Sequence, residues 1–128
     1  MNQISLLVRI KAEPSTVYNS LTSIQGIGQW FTQAQSSKYV EGGKLTLVFP
    51  NEEVEFSVKT MRKDTRVIWH CTSPDNPWYE TDIMFELKSG VDSTTVIFDH
   101  TGWPEINELF RDCSMSWAYF LESLRSRV

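Results

Sequence analysis

The sequence predicts an α+β fold: a curved antiparallel sheet of about six or seven strands wrapped on one long C-terminal helix, with one or two short helices after the first strand. Three observations carry this. Residues 44–101 contain a series of short runs in which apolar and polar side chains alternate, separated by turn residues. From Pro104 to Arg127 the apolar period lengthens to that of a helix. One further alternating run, residues 3–11, opens the chain. A sheet with one apolar face needs a cover, and the last helix is the only element large enough to supply it.

The elements follow in order. Ile4, Leu6, Val8 and Ile10 share one face of the first strand. In "AEPSTVYNSLTS", Pro14 suits a first helical turn and Val17 and Leu21 are spaced i, i+4. "IQGIGQWF" carries two glycines, so at most a short broken helix is expected, and residues 33–40 read as a weak strand or loop. "EGG" (41–43) is a turn. Strands are predicted at 44–49, at 54–61 with Val54, Phe56 and Val58 on one side, at 66–73, at 79–88 and at 94–101. Their short turns make the sheet antiparallel. The helix over 104–127 carries a stripe of Ile106, Phe110, Cys113, Trp117, Phe120 or Leu121, and Leu124, with acidic residues early and Arg125 and Arg127 late, matching the helix dipole.

The 128 residues suggest a single domain, 1–128, able to bury its own core. A net charge of −4 argues against a nucleic-acid partner, which needs clustered Lys and Arg. No apolar run is long enough for a membrane span, and no signal peptide is read at the N-terminus. Cys71 and Cys113 make no CxxC pair and no zinc spacing with His70 and His100, so no metal, cofactor or disulfide is expected. Two thiols suit a reducing, cytoplasmic setting.

The layout and several motifs resemble the START-like (SRPBCC) superfamily and its helix-grip fold. Ala12, Pro14, Val17 and Tyr18 are similar to that family's opening strand-to-helix segment, Trp30-Phe31 to its aromatic pair, and Gly42-Gly43 to its paired glycines. "HTGWPEINELFRDCSMSWAYFLESL" (100–124) resembles the branch of chaperone-ATPase-activator homologues and polyketide-cyclase-like proteins, with His100, Gly102, Trp103, Cys113, Trp117, Leu121 and Leu124 at the matching positions. The resemblance implies a cavity between sheet and helix. Members bind lipids, hormones or polyketides, and a few catalyse cyclisation.

The residues themselves point to an aromatic-lined, mainly apolar site for a small hydrophobic molecule. Five Trp, seven Phe and four Tyr are available. By alternation His100 shares a face with Val96 and Phe98, and three roles are open to it: a backbone-bonded corner residue, a ligand contact, or a general base in a cyclase-like enzyme. Trp69 and Trp117 are expected on opposing layers, and Trp30, Phe49, Trp78 and Trp103 at element ends where a cavity mouth would lie. Cys113 lies one helical turn from Trp117, and Tyr79 and Thr60 are candidate polar anchors. No catalytic residue is assigned. His70 is expected to point outward, away from Cys71. Leu7, Met84 and Ile97 fall on the presumed outer face, where they would form a homodimer contact; a chaperone-interacting module is the other interaction reading.

Overall fold

The computed structural model describes all residues 1–128. The chain runs β1 (Asn2–Ile10), α1 (Pro14–Thr22), α2 (Ile24–Trp30), β2 (Gln33–Gln35), β3 (Lys44–Phe49), β4 (Glu52–Arg62), β5 (Arg66–Cys71), β6 (Asp82–Gly90), β7 (Ser93–Trp103) and α3 (Glu108–Arg127). All seven strands form one antiparallel sheet in the order β1-β7-β6-β5-β4-β3-β2, the helix-grip arrangement. The first strand therefore closes on the last, and hairpins make most of the rest.

Alternation decides which side chains face α3. One cross-strand row reads Ile4, His100, Ile83, Trp69 and Val58, and the next begins Leu6, Phe98, Phe85 and Val67. All but Leu6 are almost wholly buried. From α3 the stripe of Phe110, Trp117, Leu121 and Leu124 meets them, with Trp117 and Phe98 ring centroids 4.6 Å apart. Val17 and Leu21 turn α1 onto the same core.

Four local features depart from the sequence expectation, each for a physical reason. First, α2 is a regular helix in spite of its glycines. Ser23 caps it by accepting the Gly26 N–H at 2.9 Å. Gly26 is needed because a Cβ there would lie 2.8 Å from the Ser20 carbonyl oxygen, so its absence lets α2 close on α1. Second, β7 continues to Trp103 through Gly102, whose φ of +94° bends the strand end. Third, Pro104 therefore does not start the long helix. Asn107, a favoured cap, accepts the Phe110 N–H at 2.9 Å, and Ile106 stays 53% exposed outside the stripe. Fourth, a β-bulge between Val58 and Thr60 reverses the alternation of β4. Thr60 consequently pairs with Ile68 on the outer face, not toward the helix as the alternation predicts.

Candidate ligand site

Three segments meet beside α3: the β3–β4 turn, the loop between β5 and β6, and the first turns of the helix. Between them lies a cleft of about 230 Å³ lined by Phe49, Glu52, Val54, Asn76, Pro77, Trp78, Leu109 and Cys113. Glu52, Asn76 and the Trp78 indole N–H, which is spent on the Cys113 sulfur, are the polar N and O groups of its side chains. Four larger depressions, of about 350 to 870 Å³, lie elsewhere on the surface, and polar side chains make up most of their walls.

Trp78 forms the inner wall. The loop that carries it is fixed by its own backbone chemistry. Asn76 Oδ1 accepts the Trp78 N–H at 2.9 Å, and the Trp78 carbonyl accepts from the Thr81 N–H at 2.9 Å and from Thr81 Oγ1 at 2.6 Å. The half-buried indole stacks on Trp117 (5.9 Å, 22°) and meets His100 edge-on (5.1 Å, 90°) and Phe49 likewise (6.1 Å, 88°).

Behind Trp78 the space between sheet and helix is filled. Phe31 reaches in from the end of α2 to meet Trp117 at 5.0 Å, Phe120 at 4.8 Å and Phe49 at 5.8 Å. The sequence predicts an enclosed cavity in this gap; the structure has interlocked rings at the centre and an open cleft at one margin.

His100 sits at the core of this packing, fully buried. An indole N–H can only donate, so the bond from Trp117 Nε1 (3.1 Å) makes His100 Nδ1 the acceptor and puts the proton on Nε2. Nε2–H then donates to Thr81 Oγ1 at 2.8 Å, which passes its own hydrogen to the Trp78 carbonyl. The chain Trp117–His100–Thr81–Trp78 leaves no ring nitrogen free. Burial lowers the His100 pKa to about 3, against a weaker opposing pull from Asp82, so the imidazole is neutral at ordinary pH. Burial also raises the Cys113 thiol, an effect that a hydrogen bond from Trp78 partly offsets.

The other sequence-predicted residues separate. Phe49, Trp78 and Cys113 line the cleft, while Phe98, His100 and Trp117 lie behind it. Trp103 packs beyond His100 at 5.0 Å, its Nε1 buried without an acceptor. Trp30 is held in the core by a 2.9 Å bond to the Ser20 carbonyl, and Trp69 by a 2.8 Å bond to Tyr39 Oη. Tyr79 is 45% exposed and is absent from the lining. Val54, Leu109, Glu52, Asn76 and Pro77 were not singled out by sequence reasoning. Of these, Val54 had a signal: it shares the inner face of β4 with Phe56.

On the outer face, His70 points outward as alternation predicts, its Nδ1 2.6 Å from Asp82, which also takes Lys59 at 2.9 Å. Burial alone would raise the Asp82 pKa, but these two hydrogen bonds outweigh it and hold the carboxyl low.

In comparisons with known proteins, the fold matches the Aha1 dimer from Colwellia psychrerythraea at 28% identity and a TM-score of 0.88, covering 98% of this chain and 94% of that one. Protein MLL2253 from Mesorhizobium loti (15% identity, TM-score 0.87, 98% and 95% covered) and CalU16 from Micromonospora echinospora (18%, 0.80, 95% and 73%) share the fold. No curated protein matches the sequence. Residues 11–128 match the family model of the Activator of Hsp90 ATPase homolog 1-like proteins, and the chain belongs to that family.

Proposed function

We propose that the protein is a binding module for a small, flat, mainly apolar molecule seated in the cleft beside Trp78. The observation that carries this reading is the cleft's composition. Aromatic and aliphatic walls from three segments converge on it, with Glu52 and Asn76 at the rim to orient a ligand. At about 230 Å³ it suits a one- or two-ring molecule and is smaller than typical drug-sized sites. Affinity would come from burying apolar surface, with orientation set at the rim. The role of His100 in this reading is to fix Trp117 and the Trp78 loop. An acid–base role finds less support, because both ring nitrogens are engaged and the ring holds no exchangeable charge at neutral pH.

Titration with 1-naphthylmethanol, followed by amide and indole NMR, tests this. The expected result is saturable shifts at Trp78, Leu109 and Cys113. Leu109→Glu, at a position 39% exposed and therefore tolerant of charge, should weaken binding about fivefold. Shifts confined to other parts of the chain, or none, would sink the reading.

An interaction role with a second copy is the alternative with a specific observation behind it. Leu7, 49% exposed, pairs with Ile97 on the outer face, and Met84 pairs with Ile68, so an apolar diagonal crosses the sheet. The Colwellia relative is described as a dimer. Sedimentation velocity should then give a dimer that Leu7→Glu converts to monomer; a wild-type monomer at high concentration rejects it.

A further inference from the structure

The segments that wall the cleft, residues 49–54, 74–81 and 104–113, are electrostatically one-sided. They hold seven carboxylates (Glu52, Glu53, Asp75, Glu80, Glu105, Glu108 and Asp112) against one cation, Arg111. Strand register puts Lys11, Lys63, Lys88 and Arg127 at the opposite end of the molecule. Low-dielectric walls concentrate such a field at the cleft mouth.

The lining itself has the same sign. Glu52 lies on the inward face of β4 with Val54 and Phe56. Asn76 commits its oxygen to the Trp78 N–H and donates from Nδ2 to Glu52 Oε1. Glu52 Oε2 makes no hydrogen bond in the structure, and so remains an open acceptor, and Phe49 and Trp78 add aromatic rings, a wall material favourable to cations, to the same lining.

We infer that the cleft selects cationic amphiphiles: a flat apolar body lies among Phe49, Trp78 and Leu109, and its protonated amine is held by Glu52. This inference rests on the cleft being the binding site proposed above.

The test compares three probes of one shape: 1-naphthylmethylamine, protonated at neutral pH, neutral 1-naphthylmethanol, and anionic 1-naphthoate. Affinities are measured by calorimetry and located by NMR, at low and high salt. The amine should bind about tenfold more tightly than the alcohol, and the anion most weakly. Salt should erode the amine's advantage. Glu52→Gln keeps the side-chain length and an oxygen for Asn76, and should reduce the advantage to about threefold or less. Equal binding of all three probes in the cleft, or preference for the anion, overturns the inference while leaving the cleft reading intact. An amine preference that neither salt nor Glu52→Gln changes also overturns it. If no probe perturbs Trp78, Leu109 or Cys113, the cleft reading itself fails.

Discussion

Replacing Trp117 with alanine is expected to lower the stability of the fold by about 3–5 kcal/mol, the range for deleting a large buried aromatic. The position explains why the upper part of that range applies. Trp117 is 1% exposed and meets Phe31, Phe98, Trp78 and His100 with ring centroids 4.6–6.0 Å apart. Its loss opens a cavity that rings from α2, β7 and the Trp78 loop cannot fill together. It also takes away the donor to His100 Nδ1, leaving a buried acceptor unpaired. Trp117→Phe separates the two effects: most of the ring packing stays, the hydrogen bond goes, and the cost should fall to about 1–2 kcal/mol. Urea unfolding followed by circular dichroism measures both. Near-equal losses for the two variants would mean that the hydrogen bond, not the packing, dominates.

The second large effect is a pH dependence written by His100. Burial depresses its folded pKa from 6.5 to about 3. Above 6.5 neither the folded nor the unfolded state holds the proton, and stability from this group is fully present. As pH falls below 6.5 the unfolded chain binds a proton that the folded chain refuses. Stability then drops by about 1.4 kcal/mol per pH unit until the folded pKa is passed. Asp82, whose folded pKa is lowered, adds a loss of the same sign in more acid solution. His100→Gln removes the titration. It should cost about 1–3 kcal/mol at pH 7, because Trp117 Nε1 and Thr81 Oγ1 lose their partner, yet the gap to wild type should shrink steadily toward pH 4. Parallel stability–pH curves for the two proteins would show that His100 is not held neutral by the fold.

Much of this architecture is legible before any coordinates. Alternation alone puts Val96, Phe98 and His100 on one face, because a regular strand leaves no other choice. The helical stripe of Phe110, Trp117, Leu121 and Leu124 is read by the same logic at a different period. What alternation cannot see is its own interruption. The bulge at Lys59 turns Thr60 outward, and nothing in "SVKTM" announces it. Capping strength decided the helix start: Asn107 outranks Pro104 because strand pairing holds the chain as far as Trp103.

The residues of the candidate cleft were legible in part, and for a related reason. Phe49, Trp78 and Cys113 come together at the cleft as element-end and stripe residues. Trp30 looked equally placed at an element end, yet its N–H found the Ser20 carbonyl when α2 folded onto α1, and the ring went into the core. Asn76 and Glu52 acquire meaning only through a contact between residues 24 positions apart. Phe31 is half of the quoted aromatic pair, but its place between Trp117 and Phe120 depends on where α2 ends.

The claim on which the account turns is that the cleft beside Trp78 is where a ligand sits. Cysteine alkylation measures this directly. Cys71 is wholly buried, whereas Cys113 is half-buried and lines the cleft. Treatment with iodoacetamide at mildly alkaline pH, followed by intact-mass and peptide analysis, should therefore place a single adduct on Cys113. 1-Naphthylmethanol is expected to slow this adduct in proportion to its bound fraction measured by calorimetry, toward zero at saturation. A saturated protein whose Cys113 is alkylated at the unliganded rate would contradict it.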